Sequence, residues 1–184
     1  MWYSELAFYV HNRGATAGEM ASAFACDVFL HDADHAWYRG IDVRAPRATV
    51  FRWLTQLRVA PYSYDWIDNL GRQSPRQLLD LAGVARGQRA MIVFEIIDFE
   101  DERHLTLELK QPWWVRIWAS MVMTYRVDEI DGGCRIVVKM LVRYPRTPLG
   151  WLSRWLLPHG DWFMMCKQLY TFRDLAEKTA EPTP

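Results

Sequence analysis

The sequence predicts an α+β fold in which a long C-terminal helix covers one face of an antiparallel sheet. Residues 104–110, HLTLELK, alternate apolar and polar side chains, which is the pattern of a strand with one buried face. Residues 115–127 and 134–144 alternate in the same way on either side of the turn DEIDGG, which predicts a β-hairpin. Residues 148–178 carry apolar side chains at spacings of three and four, and these predict the covering helix.

The composition fits one compact domain with a large apolar interior. The chain has 184 residues, 51% of them hydrophobic, and its 22 Lys and Arg residues balance 22 Asp and Glu residues. A neutral chain without a basic run has little attraction for polyphosphates, so we expect no nucleic-acid partner. Ten Trp, eight Tyr, eight Phe and eight Met residues are many for a domain of this size. They predict either a core rich in bulky side chains or the walls of a cavity for planar or hydrophobic ligands.

Cysteine usage and hydropathy predict a cytoplasmic protein. Cys26, Cys134 and Cys166 are odd in number and lack C-x-x-C spacing, so they fit reduced thiols better than a disulfide framework or a zinc site. The first residues, MWYSELAFYVHNR, have no basic lead and include Glu5, unlike a signal peptide. No apolar run reaches the roughly 18 residues that span a bilayer, so we expect no stable membrane insertion. We expect no cofactor and no metal, and the sequence does not indicate the oligomeric state.

The first half of the chain predicts a strand followed by two helices. Residues 37–43 place Trp37, Arg39, Ile41 and Val43 on one face of a strand. Pro46 can open a helix, which ends at RVAP because a residue that precedes proline avoids helical angles. The stretch PYSYDWIDNLG then predicts a short aromatic helix with a serine as its N-cap and a glycine at its end.

The second half predicts strands and the long helix. Residues 90–99 predict a strand, and EDER a turn before the next one. The hairpin face opposite the apolar one is basic, and we expect it to face solvent; it carries Arg116, Arg126, Arg135, Lys139 and Arg143. In the C-terminal helix, Pro158 and Gly160 predict a break, with Asp161 as the N-cap of the second half.

We divide the chain into three segments. Residues 1–26 have small side chains without a clear period and predict a lead-in that packs on the domain or is partly extended. Residues 27–178 form the domain. Residues 179–184 are expected to fray.

Four stretches in this order carry a resemblance to a known family: YRGIDVRAPRATVFRWLTQL, YSYDWIDNLG, MVMTYRVDEIDGGCRIVVKMLVR and MMCKQLYTFRDLAE. The chain resembles the START-like superfamily, and within it the SRPBCC or polyketide cyclase/dehydrase group, over roughly Asp27 to Lys178. The resemblance implies the helix-grip fold, in which a curved antiparallel sheet wraps around a long C-terminal helix and leaves a hydrophobic cavity. It also implies that the short aromatic helix plugs one end of that cavity, with Tyr62, Tyr64 and Trp66 in its wall.

The predicted function is the binding of a hydrophobic small molecule, such as a lipid, a polyketide or an aromatic metabolite. The alternative is a cyclase, aromatase or dehydratase that acts on a polyketide-like substrate, in which a shaped pocket orients a reactive chain. Its candidate catalytic residues are Arg39, Tyr64, Tyr125 and His159. The predicted ligand-binding residues line the inward faces: Tyr62, Tyr64, Trp66, Ile117, Met121, Met123, Tyr125, Met140, Trp162, Met165, Cys166 and Leu169.

Several residues allow a structural or a functional interpretation. Arg39 on an apolar strand face needs an ion-pair partner, either Asp65 or Asp161, or else anchors a ligand carboxylate or carbonyl. The stretch HDADH is typical of a solvated turn, although His and Asp at alternating positions also suit a metal. The run WLSRWLL fits core packing by default, and a lid or a membrane-touching edge as the alternative. A protein-docking role for the basic hairpin face is a third function class.

Overall fold

The structure is a computed structural model, and it describes residues 11–110 and 119–180. Six strands and four α-helices make up this part of the chain, with 3₁₀ turns at Ala25–Val28 and Gln56–Arg58. In chain order they are α1 (Ala17–Ala21), β1 (His35–Val43), α2 (Arg47–Thr55), α3 (Asp65–Asp68), β2 (Arg89–Ala90), β3 (Phe94–Glu100), β4 (His104–Leu109), β5 (Ser120–Ile130), β6 (Gly133–Arg143) and α4 (Pro148–Ala180).

All six strands form one antiparallel sheet in the order β1-β6-β5-β4-β3-β2. The predicted hairpin is present: β5 pairs with β6 from Ser120↔Arg143 to Ile130↔Gly133, so only Asp131 and Gly132 form the loop. Gly132 has φ +80°, a left-handed conformation that favours glycine in a tight turn. The N-terminal strand β1 pairs with β6 and is the edge strand on that side of the sheet.

The predicted strand over residues 90–99 is shorter than its sequence pattern indicates. Met91 and Ile92 have φ +46° and +67°, so the chain turns there and the strand β3 begins only at Phe94. The amide of Met91 donates to the carbonyl of Leu57, 2.8 Å away. This hydrogen bond joins the turn to the 3₁₀ turn that follows α2. Met91 still packs on the core, whereas Ile92 is 50% exposed, so the apolar pattern extends beyond the strand itself.

The helices α2 and α4 lie on the concave face of the sheet and bury its apolar side chains. Val50, Phe51 and Leu54 of α2 pack in one core cluster with the inward residues of β1, β4, β5 and β6. The indole Nε1 of Trp53 donates to Thr179 Oγ1 at 3.1 Å and joins α2 to the end of α4. This architecture confirms the predicted α+β class, with a long C-terminal helix held by an antiparallel sheet.

The break predicted in the C-terminal helix is wrong. The helix α4 is continuous from Pro148 to Ala180, and Pro158 lies inside it. Asp161 therefore caps nothing, and its side chain reaches Arg39 on the sheet. Proline removes one intrahelical hydrogen bond. The buried face of α4 nevertheless continues on both sides of it, from Ser153 to Met165, and this tertiary packing keeps the helix continuous.

The prediction that the basic face of the hairpin faces solvent is also wrong. Residues 11–34, which we call the strap, cross this outer face of the sheet. Phe24, Cys26 and Leu30 of the strap form a second apolar cluster with outward side chains of the sheet, namely Tyr38, Val122, Val137 and Leu141. Acidic residues of the strap also pair with the basic side chains: Arg135 with Glu19, Lys139 with Asp27, and Arg143 with Asp32. The strap thus covers much of the described outer face, while Arg143 keeps 44% of its side chain exposed and Arg116 lies outside the described residues.

The strap begins by pairing with the edge strand β1. The amide of Gly40 donates to the carbonyl of Arg13 at 3.1 Å, and the two glycines Gly14 and Gly40 touch backbone to backbone. Gly14 has φ +74°, and a Cβ there would collide with the carbonyl oxygen of Gly40. Thr179 and Ala180 of the predicted frayed tail still lie in α4. The division of the chain into three segments stays a prediction.

Candidate functional site

A buried ion pair joins the middle of β1 to the middle of α4. Nη2 of Arg39 lies 2.9 Å from Oδ2 of Asp161, and the two side chains are 3% and 12% exposed. Nη1 of Arg39 also donates to two carbonyls, of His11 at 2.6 Å and of Tyr38 at 2.8 Å. Burial raises the pKa of Asp161 to about 6, although the Arg39 guanidinium acts in the opposite direction.

Of the two partners considered for Arg39, the structure brings it together with Asp161. Asp65, the other one, accepts hydrogen bonds from the backbone and hydroxyl of Ser74 instead. Ser63 does not cap the short helix α3, because its hydroxyl donates to Asp68. These contacts explain the acidic residues of α3 as local structure.

A second set of interior hydrogen bonds lies two strands away from β1, on β5. Strand register puts Tyr125, Val138 and Arg39 in one row across β5, β6 and β1. The Tyr125 hydroxyl donates to Gln168 Oε1 at 2.6 Å, and Gln168 Nε2 donates to the carbonyl of Pro61 at 2.6 Å. Burial, together with the charge of Asp161, raises the pKa of Tyr125. Tyr125 is therefore a neutral hydrogen-bond donor inside the core.

Three more polar atoms near this row are buried without a hydrogen-bond partner among the described residues. They are Trp37 Nε1, Arg39 Nε and the hydroxyl of Tyr144. Trp37 neighbours Arg39 on the inward face of β1, and the ring of His11 stacks on it at 5.8 Å. Burial raises the pKa of Tyr144, and the charge of Asp161 adds to the effect. Buried polar groups are nearly always paired, so three such atoms in one region need an explanation.

The predicted apolar wall residues lie in the core. Met123, Met140, Met165 and Leu169 are buried in the main cluster, as are Tyr62 and Tyr125. At the seam between β1 and α4 lies a pocket of about 40 Å³, whose lining includes Arg39, Cys166 and Leu169. Such a volume holds a few waters at most, so a larger guest must move side chains of the wall.

The seam pocket is covered by the strap. Arg13 also lines it, and donates to Tyr170 Oη at 3.0 Å and to Cys166 Sγ at 3.7 Å. Its guanidinium lies 5.6 Å from the ring of Trp162, another predicted ligand-binding residue. Burial raises the pKa of Cys166, so this thiol stays protonated near neutral pH.

The remaining predicted site residues lie toward the surface. The ring of Tyr64 stacks flat on Phe163 at 4.2 Å, and Trp66 is 75% exposed. His159 is exposed on α4, where its Nδ1 lies 2.9 Å from the carbonyl of Trp155. Met121 packs at the margin of the main core. Ile117 lies outside the described residues. Roles in binding or catalysis stay predictions for all of these residues.

The stretch HDADH is held by ion pairs. Asp32 pairs with Arg143, and Asp34 pairs with Arg154 and accepts from the amide of Tyr144 at 2.8 Å. Within residues 11–110 and 119–180, no group of three or more His, Cys, Asp or Glu side chains is placed to hold a metal ion.

Sequence reasoning missed Gln168, which holds Tyr125 and the carbonyl of Pro61 together. A signal was available, because Asp161 and Gln168 are seven residues apart and so share one face of α4. Both are polar residues on a face that is otherwise apolar, with Met165 between them. Polar residues at such positions indicate interior hydrogen bonds.

Comparison with known proteins supports the fold. No protein-family model matches the sequence, and no curated protein matches it. Among solved structures, the di-domain aromatase/cyclase StfQ of the steffimycin biosynthetic pathway aligns with a TM-score of 0.50 at 9% identity, over 84% of this chain and 54% of that one. A protein from Chromobacterium violaceum aligns with a TM-score of 0.48 at 11% identity, over 77% and 96% of the two chains. Norcoclaurine synthase from Thalictrum flavum aligns with a TM-score of 0.48 at 10% identity, over 80% and 96%.

The sheet order, the long C-terminal helix and the StfQ alignment define the class of structure as the helix-grip fold. The chain spans about half the length of the StfQ di-domain. In the part of the chain that the structure describes, no helix has the length and apolar character needed to cross a membrane.

Proposed function

We propose that this protein binds a hydrophobic small molecule, a lipid, polyketide or aromatic metabolite, between the sheet and α4. The observation that carries the proposal is the set of buried polar atoms without partners: Trp37 Nε1, Arg39 Nε and Tyr144 Oη. All three can donate a hydrogen bond, so together they suit a guest with acceptor oxygens on an otherwise apolar body. The guest would lie beside the Arg39–Asp161 pair.

Room for the guest comes from methionine side chains. Met123 and Met140 are register partners on neighbouring strands, and Met165 faces them from α4. Methionine is unbranched and has three rotatable bonds, so such a wall repacks with less strain than one of β-branched residues. The pocket of about 40 Å³ beside Arg39 would be the start of the enlarged cavity.

The test uses 1-anilinonaphthalene-8-sulfonate as a fluorescent probe, with oleate and a flat aromatic ketone as competitors. We expect saturable binding, displacement by at least one competitor and a rise in Tm. The variant Tyr144→Phe removes a hydroxyl that has no partner in the free protein, so the unliganded fold should be as stable as wild type while probe affinity falls about fivefold. The proposal fails if native mass spectrometry and the probe detect no binding, or if Tyr144→Phe and Trp37→Phe bind as wild type does.

The second candidate is an enzyme of the cyclase, aromatase or dehydratase type. The observation in its favour is the pKa of Asp161, about 6, which suits proton transfer near neutral pH. The charge of Asp161 also raises the pKa of Tyr125 and that of Tyr144, so this carboxylate acts on two hydroxyl groups of the interior. Arg39 would then hold a developing enolate oxygen.

A soluble linear 1,3,5-triketone tests this candidate. Intramolecular aldol ring closure followed by loss of water would give an aromatic product that absorbs in the near ultraviolet. Catalysis that Asp161→Asn abolishes, while probe binding persists, supports the enzyme. Absence of turnover with intact probe binding leaves the carrier function and dismisses the enzyme for this substrate class.

A further inference from the structure

The first half of α4 and the neighbouring α3 expose large apolar side chains in one continuous surface, which we call the aromatic face. It consists of Trp151, Leu152, Trp155 and Phe163 on α4, and of Trp66 and Leu70 at α3. Trp151, Trp155 and Leu70 are 77%, 61% and 82% exposed. The stacking of Tyr64 on Phe163 joins the two parts. An exposed apolar patch of this kind on a domain surface indicates an interaction site.

Helical spacing places these α4 residues together on the side away from the sheet. Trp151, Leu152 and Trp155 follow one another at positions i, i+1 and i+4, and Phe163 lies two turns further along the same side. Within the same turns Ser153 and Pro158 are buried, and the side chain of Asp161 reaches Arg39 in the interior. The large exposed apolar side chains of the first half of α4 thus lie outside the core, and core packing does not explain them.

Most exposed charges around the aromatic face are positive, since Asp65 and Asp68 of α3 are half-buried and accept hydrogen bonds from Ser74 and Ser63. Between Pro145 and Lys167 the only acidic residue is Asp161, and it pairs with Arg39 in the interior. Arg146 and Lys167 are exposed at the two ends of this stretch, while Arg154 pairs with Asp34. Next to α3, the side chains of Arg72 and Arg76 are also exposed. A chain of zero net charge thus presents a local excess of cations beside its most apolar surface.

We infer that the aromatic face docks on an anionic lipid bilayer, with α4 lying in the plane of the interface. Tryptophan with leucine on one face and Arg or Lys at its margin is the pattern of an interfacial helix. The cations would meet lipid phosphates while the indoles enter the boundary between headgroups and acyl chains. The inference needs no guest in the interior and is independent of the proposed function.

Charge also favours lipid over a second copy of the chain. A two-fold contact through the aromatic face would bring Arg146 and Lys167 of one copy toward the same cations of the other, while the acidic side chains of α3, Asp65 and Asp68, are already hydrogen-bonded within their own copy. An anionic bilayer supplies the missing negative charge instead.

The experiment is co-sedimentation of the full chain with vesicles of phosphatidylcholine alone and of phosphatidylcholine with 30 mol% phosphatidylserine, with light scattering in parallel. We expect binding to the anionic vesicles and weak binding to the neutral ones. The double variant Trp151→Ala/Trp155→Ala should lower the partition coefficient about tenfold or more, because two large apolar side chains no longer enter the interface. Arg146→Gln/Lys167→Gln should lower it about tenfold as well, and the difference from wild type should shrink at 0.5 M salt.

The matched control is Val28→Ala/Phe29→Ala, which removes exposed apolar side chains from the strap on the other face of the sheet. It should bind vesicles as wild type does. The altered side chains are exposed, so each variant should keep the wild-type Tm, and the charge variant serves if the tryptophan variant does not fold. The inference is overturned if wild type ignores anionic vesicles, if both aromatic-face variants bind like wild type, or if light scattering shows a dimer that the tryptophan variant dissociates.

Discussion

Arg39 and Asp161 are 122 residues apart in the sequence, yet their side chains meet at 2.9 Å between β1 and α4. The pair fastens the edge strand of the sheet to the helix that covers it. Removing one partner leaves the other charge buried without compensation, so we predict that Arg39→Met lowers the free energy of unfolding by about 3–5 kcal/mol at pH 8. Urea denaturation measures this loss. Arg39→Met/Asp161→Leu should recover most of it, and a double variant as unstable as the single one would show that the pair is not the cause.

The same pair predicts a pH dependence with a definite sign. The pKa of Asp161, about 6, lies above that of an unfolded aspartate, about 3.9. The folded chain therefore holds this proton more tightly, and its contribution to the free energy of unfolding rises as the pH falls from about 7 to 4. Arg39→Met should accordingly lose less stability at pH 5 than at pH 8. Equal losses at both pH values, in paired denaturation curves, would contradict the assignment.

Tyr125 should contribute to stability through its hydroxyl. In Tyr125→Phe the carbonyl of Gln168 loses its donor inside the core, so the free energy of unfolding should fall by about 1–3 kcal/mol. The control is Tyr170→Phe, whose hydroxyl accepts from Arg13 near the surface and whose loss should change stability by less than about 1 kcal/mol. Similar effects of the two substitutions on the urea midpoint would mean that the interior hydrogen bond adds little.

Two glycines of the strap form a matched pair for a backbone test. Gly14→Ala forces a side chain into the carbonyl of Gly40 at a positive φ, so we expect a loss of about 1–3 kcal/mol and faster proteolysis of the strap. Gly18 lies inside α1 with no atom within 4 Å of an added Cβ. Gly18→Ala should be neutral or stabilising by up to about 1 kcal/mol, because alanine is the better helix former. Thermal denaturation compares the two, and equal Tm values would argue against the close contact.

Glu19 should make attachment of the strap sensitive to acid. Burial alone would raise the pKa of Glu19, but hydrogen bonds from Arg135 and from the amide of Thr16 hold it below its ordinary value. A carboxyl with a lowered pKa stabilises the fold above its unfolded pKa, and this contribution is lost as the pH falls from about 5 toward 3.

Hydrogen exchange of residues 11–34 measures this attachment. Protection should decrease over that pH interval in wild type. Arg135→Met should have low protection already at pH 7, since it removes the side chain that binds Glu19, Asp42 and the carbonyl of Gly14. Asp174→Asn, at an exposed pair on the far end of α4, serves as the control. An unchanged exchange pattern in Arg135→Met would show that apolar contacts alone hold the strap.

The regular elements could be predicted because their patterns are local. Alternation along residues 104–110 and around the turn at Gly132 fixes strands and a hairpin, and the spacing within α4 fixes the covering helix. Even so, Pro158 gave a false signal for a break, because the local preference of proline is weaker than the packing of a helix face buried on both sides of it. The helix-breaking preference of proline can be read from the sequence, whereas the packing contacts that outweigh it exist only in the folded protein.

The candidate site was predictable only in part. An arginine on an apolar strand face indicated a buried partner, but the choice between Asp65 and Asp161 depends on how α3 and α4 sit on the sheet. For the N-terminal residues the sequence predicted only a lead-in that packs on the domain or is partly extended, and not the face that the strap covers, since its small side chains have no period and its partners, Arg135 and Lys139, lie more than a hundred residues away. Long-range pairs of this kind have no local signature.

The strand β1 lies at one margin of the sheet, and the hydrogen bond from Gly40 to Arg13 falls at its middle. A bare margin offers a row of free amides and carbonyls to any passing extended peptide, and that is how many β-proteins begin to aggregate. The strap blocks this row in the same short segment that seals the seam pocket. Truncation before Ala15 should therefore uncover the edge of β1 to intermolecular strand pairing and remove Arg13 from the wall of the seam pocket at the same time.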